Sequence, residues 1–442
     1  MTWGITVGMS VATRGLIAWA AAFALLVGCD DGGSGSAQQG TLDQGAAADL
    51  GGDSLPDAAT ESHADAATEL PDAELPDADL PDAEVEPQPD GGLPAMPWPV
   101  GAPGFFNIGY MTEEITYQPS FGEPRTIRLG WWYPTLDAEG SATRYANILL
   151  RHEAFHDATP ALDEPAPVVV FSHGNGGFAE QNYTMGEFFA RHGWVFVAVD
   201  HTGNTFLDMS VPGYLLFELR PLDVKATLDY LDALPADHPL AGGLTAQRAL
   251  TGHSFGGYTT LAVGGAGFDV EGLLADCAPG PDRPAEACDY LEEGADRYRA
   301  GFGDDRLQAL VPLAPAGANL FRGGEGDIAA PVLLMTGARD KTLPNADEGD
   351  PIWDAIHQPD SVRLDFPEAG HFTFSDACAL AGAVGQDDGC GPDFIPASDA
   401  YRLMNGYALA FLRLYVLGED TDVDLLYGDA TLGEGADRSL KR

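Results

Sequence analysis

The chain predicts a doubly wound α/β domain, a mostly parallel sheet with helices packed on both faces. Three observations carry this. Short β-branched and apolar runs alternate with longer stretches whose apolar residues recur at three-to-four spacing, as parallel strands joined by crossover helices require. Two of the apolar runs end in glycine-rich bends, "FSHGNGG" (171–177) and "GHSFGG" (252–257). Within the apolar part no unit repeats, which excludes a solenoid or a propeller.

The elements follow in order. "TIRLGWWYP" (126–134) reads as an early antiparallel strand in which Trp131, Trp132 and Tyr133 are packing residues. "PVVVFSHG" (167–174) and "WVFVAVDH" (194–201) are near-continuous apolar runs, the pattern of strands buried on both faces, with an amphipathic stretch at 180–192 between them. "YLLFELRPLDVKATLDYLDAL" (214–234) reads as a helix. "RALTGHS" is then a strand, "GGYTTLAVGGA" the helix after it, and "LQALVPLAP" (307–315) and "APVLLMTGARD" (330–340) two further strands. "SVRLDFPEAGH" (361–371) is a last strand with its loop, and "AYRLMNGYALAFLRLYVLG" (400–418) a closing helix. Residues 268–305 interrupt the alternation and are expected to form a small excursion over the active-site side.

Of the 442 residues, 68 are Asp or Glu and 22 Lys or Arg, a net charge of −46. Such a surface repels phosphate, so nucleic acid and anionic lipid are excluded as partners. The acidity is concentrated early. Residues 30–97 hold no Lys or Arg, carry 17 acids by Asp90, and run through "LPDAELPDADLPDAE", where proline breaks helix and ladder alike. No core can form there, so 29–97 is read as an extended acidic spacer ahead of a folded domain at 98–442. No Asp-x-Asp-x-Asp-Gly loop organises the aspartates for calcium, and no metal is expected. Residues 1–28 carry one positive charge, Arg14, and then 14 apolar residues, "GLIAWAAAFALLVG", too few to span a bilayer comfortably and right for a signal peptide.

Five cysteines sort into one and two pairs. Cys277 with Cys288 and Cys378 with Cys390 are close in sequence and lack the C-x₂₋₄-C spacing of zinc knuckles, so disulfides of an exported protein are expected. Each such loop contributes about 3 kcal/mol in the chain-entropy model. The fifth, Cys29, ends "LVGC" and is followed by "DDGGSGS".

The chemistry centres on "RALTGHSFGGYTTLA" (248–262). A serine hydroxyl is a weak nucleophile at neutral pH and needs a general base and N–H groups aimed at the oxyanion it creates. Gly252 and Gly256 flank Ser254 in G-x-S-x-G, with a strand before and a helix after. That is the tight elbow that exposes a nucleophile and tolerates little beyond glycine two residues away on either side. His371, in the loop after the last strand, is the expected base. Asp340, ending "VLLMTGARD" at a strand's carboxyl end, is the expected acid, preferred over Asp347 and Asp354, which fall in or near the next helix. The N–H groups of Asn175 and Phe255 are expected to form the oxyanion hole. His253 is expected to pack the elbow and His173 to brace its loop.

"VVVFSHGNGG", "VFVAVDHTGNT", "RPLDVKATLDYL", "GHSFGGYTTL", "LVPLAPAG", "PVLLMTGARD" and "EAGHFTFSD" resemble, over about 104–417, the bacterial predicted dienelactone hydrolases that group with platelet-activating-factor acetylhydrolase, and more distantly cutinase-like polyesterases. The resemblance implies an α/β-hydrolase fold, a Ser-Asp-His triad, and hydrolysis of a small-molecule, lipid or polymer carboxylic ester without a cofactor. The chain departs from the family twice. Serine replaces the cysteine nucleophile of dienelactone hydrolases. Where the acetylhydrolase branch can place its acid, this chain reads Ala314 and Pro315, which moves the acid to Asp340. "LVGC" resembles the bacterial lipobox, implying an acylated Cys29 and an envelope lipoprotein held to the membrane by that lipid alone. The domain itself is expected to be monomeric. The alternatives within the resemblance are a phospholipase A2-like acetylhydrolase and a polyesterase; outside it stand a serine peptidase and a catalytically inactive binding module.

Overall fold

The structure, a computed structural model, describes residues 98–280, 284–380 and 385–441. The expected signal peptide, Cys29 and spacer lie outside them. The strands are β1 (Asn107–Tyr117), β2 (Arg125–Thr135), β3 (Ala142–Tyr145), β4 (Leu149–His156), β5 (Ala166–Ser172), β6 (Val195–Asp200), β7 (Leu244–His253), β8 (Leu307–Leu313), β9 (Leu333–Gly337), β10 (Val362–Phe366) and β11 (Asp437–Leu440). They form a single sheet in the order β11-β10-β9-β8-β7-β5-β6-β2-β1-β4-β3. The run from β6 through β5 to β10 is parallel, and β2 and β11 join its two ends antiparallel.

The central strands are buried on both faces because their side chains alternate between two cores. Val169 and Phe171 of β5 and Phe196 and Ala198 of β6 enter one core; Val168, Val170, Val195, Val197 and Val199 enter the other. Helix α1 (Tyr183–Arg191) covers the first face, and α2 (Gly213–Asp232) and α3 (Phe255–Val263) the second. The excursion contains α4 (Val270–Asp276) and α5 (Ala285–Ala300), bridged by the Cys277–Cys288 disulfide. It packs on α2, where buried Glu218 accepts from Tyr290 Oη at 2.7 Å and Arg297 Nε at 2.5 Å. Helix α6 (Ala397–Leu412) closes the first face and runs into a wider turn that ends at Gly418.

Four strands escape the sequence reading: β1, β3, β4 and β11. All lie outside the parallel run; β3 and β11 are short and β4 is mostly solvent-facing, so they lack the continuous apolar signal of a doubly buried strand. The run 330–340 also shortens. Only Leu333–Gly337 is strand, which leaves Asp340 in the turn at its carboxyl end.

Strand order reverses between β5 and β7, since the chain leaves β5 for β6 on one side and returns to build β7 through β10 on the other. The carboxyl ends of neighbours at such a switch point splay apart and open a crevice. The glycine-rich bends that follow β5 and β7 therefore face each other.

Candidate active site

Ser254 sits between β7 and α3 with φ +58° and ψ −117°, a conformation that side-chain-bearing residues rarely adopt. Its own N–H donates to Leu313 O at 2.9 Å, and its carbonyl accepts from Gly257, Tyr258 and Ala316, so the strained residue is held on all sides. The flanking glycines have a steric reason. A Cβ on Gly256 would run into the Ser172 carbonyl, and one on Gly252 into the Gly256 carbonyl.

Phe255 opens α3, so its N–H has no acceptor within the helix. Asn175 stands second in the turn that Gly177 N–H closes on Gly174 O, and its N–H lies outside that bond. Gly176, at φ +64°, supplies the positive torsion the turn requires. Both groups expected to form the oxyanion hole thus belong to the two facing bends, and each N–H is left available.

His371 begins the turn after β10, and its Nδ1–H donates to Asp340 Oδ2 at 2.8 Å, both side chains being buried. The other carboxylate oxygen, Oδ1, accepts from Leu343 N–H at 2.6 Å. Asp340 is therefore fixed from two directions and holds the imidazole with Nε2 free to take a proton. At the end of β8 stand Ala314 and Pro315, neither of which carries a carboxylate. Pro315 abuts Gly257 of the elbow, and the next bend is pinned by Glu348 Oε2, which accepts from Gly317 and Ala318 N–H at 2.8 and 2.9 Å.

Burial alone would push the His371 imidazole down, but the attraction and hydrogen bond of Asp340, aided by Asp388, outweigh it and raise its pKa above the usual 6.5. An imidazole must be neutral to act as a general base. Hence kcat/KM is expected to fall as pH drops through a value above 6.5, and a pH–rate profile on a soluble ester checks this. The stability contribution has the opposite sign: a raised folded-state pKa favours the fold below the unfolded value, and that gain is lost as pH rises through the raised one.

Sequence reasoning missed the groups that hold the two bends and the base loop together. Asp388 accepts from His371 N–H at 3.0 Å, from Lys341 N–H at 2.9 Å, and from Thr342 N–H and Oγ1 at 3.0 and 2.7 Å. It clamps the His371 loop onto the Asp340 loop, and it lies inside the ring closed by the Cys378–Cys390 disulfide. That disulfide was the only signal in the sequence pointing there. Gln181 links the other side. Gly174 N–H donates to its Oε1 at 2.8 Å, its Nε2 donates to His253 Nδ1 at 2.8 Å, and His253 Nε2–H donates to His371 O at 3.0 Å. With both nitrogens engaged, and with burial and neighbouring His371 holding its pKa well below the ordinary value, His253 is neutral and bridges elbow to base loop. His173 Nδ1–H donates to Gly174 O at 2.7 Å and its Nε2 accepts from His201 N–H at 3.1 Å, which braces the Asn175 bend.

A second Ser-His-Asp row lies nearby. Ser172 Oγ meets His201 Nε2 at 2.8 Å, and His201 Nδ1 meets Asp223 Oδ2 at 2.9 Å. All three are wholly buried, Arg220 Nη2 donates onto the Ser172 oxygen at 3.1 Å, and Arg125 Nε holds Asp223 Oδ1 at 2.6 Å. A serine oxygen occupied by a guanidinium and closed to solvent cannot receive a substrate, so this row is a brace. Among the described residues no cluster of His, Cys, Asp and Glu could hold a metal ion.

No family model matches the chain, and no curated protein does. Among solved structures the chain is similar to a ferulic acid esterase from Streptomyces cinnamoneus, with a TM-score of 0.51 and 20% identity over 72% of this chain and 93% of that one. At that identity the likeness concerns the fold, which is the α/β-hydrolase fold.

Proposed function

We propose that the chain is a serine carboxylic-ester hydrolase. The single observation that carries this reading is the strained Ser254 elbow set between two bends with available N–H groups, in a domain whose buried Asp340–His371 pair presents a free Nε2. The similarity of fold to a ferulic acid esterase supports it. His371 takes the proton of Ser254 as the oxygen attacks the ester carbonyl. Asn175 and Phe255 N–H groups hold the tetrahedral oxyanion, His371 returns the proton to the departing alcohol, and water, activated by the same base, cleaves the acyl-enzyme. No cofactor takes part.

Among esters, one feature favours an apolar substrate, as in the acetylhydrolase and polyesterase readings. Phe206, Leu207 and Met209 are 52%, 91% and 50% exposed on the loop after β6. Phe206 N–H donates to Gly177 O and Asn204 Nδ2 to Asn175 Oδ1, so this apolar tip adjoins the oxyanion bend. The export of the chain and its attachment through acylated Cys29 belong to the same proposal, supported by two disulfides that suit an oxidising compartment. Among the described residues no helix is long and apolar enough to cross a membrane. The test is a panel of p-nitrophenyl esters of graded acyl length beside an insoluble polyester film and a peptide amide. Turnover of esters or of the film is the expected result, with preference for acetyl over longer acyl chains marking the acetylhydrolase reading and turnover of the film the polyesterase one. Cleavage confined to the amide would replace the esterase with a peptidase, and no turnover of any would leave a binding module.

A further inference from the structure

We infer that Arg220 is a positioning residue that sets both donors of the oxyanion hole from behind. This rests on the esterase reading above. The side chain comes from α2, which contributes no residue to the triad, and it is wholly buried. Its planar guanidinium reaches groups on both bends that carry the hole. Nη1 donates to Asn204 Oδ1 at 2.5 Å, and Asn204 Nδ2 in turn donates to Asn175 Oδ1 at 2.8 Å, which fixes the side chain of the first donor residue. Nη2 donates to the His173 carbonyl, two residues before Asn175, and to Ser172 Oγ, so the strand end that launches the bend is held as well. Nε reaches Thr259 Oγ1 at 3.3 Å on the first turns of α3, and the guanidinium carbon stands 4.5 Å from the centroid of the Phe255 ring, over the second donor residue.

The chemistry explains why arginine is required. A hole works only if its two N–H groups already point at the place where negative charge will develop. Those groups belong to bends 80 residues apart, Asn175 and Phe255, on different strands. One rigid fork with five donors can bond the β5 bend and Asn204 through its edge while stacking its face on the Phe255 ring. A lysine ammonium keeps the charge, yet it has neither the fork nor the face. The brace formed by Ser172, His201 and Asp223 supports the arrangement from the far side. His201 is kept neutral by burial and by the neighbouring cations Arg220 and Arg125, so its Nε2 accepts a hydrogen bond from the Ser172 hydroxyl and leaves that oxygen free to accept from Arg220.

Because an oxyanion exists only in the transition state and intermediates, misplaced donors should lower kcat and leave KM nearly alone. The experiment uses the full chain with Arg220→Lys, Arg220→Gln and Asn204→Ala, on a soluble activated ester. Competent sites are counted by stoichiometric phosphonylation, and inhibition by an aryl boronic acid, which forms a tetrahedral adduct, is measured in parallel. For both Arg220 variants kcat per titrated site is expected to fall about 10²-fold with KM within about threefold, and boronate inhibition to weaken in step. Asn204→Ala, which cuts only the Asn175 arm, is expected to lose about 10-fold in kcat and covers the case in which the Arg220 variants do not fold. A purely structural role would reduce the number of titrated sites and the melting temperature but leave kcat per site unchanged, and that outcome overturns the inference. Full kcat in Arg220→Lys overturns it too. Absence of Ser254-dependent turnover in the wild-type chain instead removes the esterase reading, and the inference falls with it.

Discussion

Replacing Ser254 by alanine is expected to lower kcat for ester hydrolysis by about 10⁶-fold, with the melting temperature little changed. The size follows from the two-step route, since without the hydroxyl no acyl-enzyme forms and only binding and the oxyanion hole remain to help water attack. The small effect on folding follows from the backbone. Alanine carries the same Cβ into the same positive φ, and the bonds that hold position 254, from its N–H to Leu313 and from Gly257, Tyr258 and Ala316 to its carbonyl, are all made by main chain. Steady-state kinetics, loss of the acylation burst and thermal unfolding by circular dichroism check the two halves separately. Activity within 10-fold of the wild type would move the chemistry away from the elbow.

Asp340→Asn is expected to cost about 10⁴-fold in kcat, again with a folded protein. The carboxylate accepts two N–H groups at once, His371 Nδ1–H on Oδ2 and Leu343 N–H on Oδ1. An asparagine has one oxygen and one NH₂ in the same two places. If the oxygen turns to Leu343, the NH₂ faces Nδ1 and the imidazole must accept there, which puts its proton on Nε2, the nitrogen that has to receive the serine proton. If the oxygen turns to His371, the NH₂ meets the Leu343 N–H, and a buried donor is left unpaired at a cost of about 1–3 kcal/mol. The first arrangement is the less costly one, so the protein is expected to keep its shape while His371 loses the free nitrogen a base needs. The loss of the Asp340 charge also removes the main influence holding the His371 pKa high, so the residual activity should extend to lower pH than in the wild type. A pH–rate profile of the variant reads this shift, and an unchanged acid limb would count against Asp340 as the partner of the base.

Much of the fold is legible in the sequence because doubly buried strands have no polar face to break their run. β5, β6, β7 and β8 announce themselves as "APVVVFS", "VFVAVD", "RALTGH" and "LQALVPL". The strands that escape the sequence reading, such as β4 with "LLRHEAFH", mix charge and apolar residues and read as loop. The same division runs through the site. Ser254 and its glycines form a local pattern, because the elbow is a steric problem solved within five residues. Asp340 and His371 are legible from chain order and from the strand ends they follow. Asp388, Gln181, Asn204 and Arg220 carry no local signature. Each is a polar residue whose work is done on a partner far away in sequence, such as Gln181 on His253 or Arg220 on the Phe255 ring.

The sequence by itself determined the succession of the parallel elements along the chain, the elbow, and the cysteine pairs that are joined in the structure. Those features depend on the periodicity of burial and on backbone conformations that few residue types can adopt. Only the tertiary structure decided which polar side chains hold Asn175, Phe255, Asp340 and His371 in register, and that the Ser172, His201 and Asp223 row is closed to a substrate. Both questions turn on how buried donors and acceptors are shared between segments distant in the chain, because a buried polar group must find its partner wherever the fold places one.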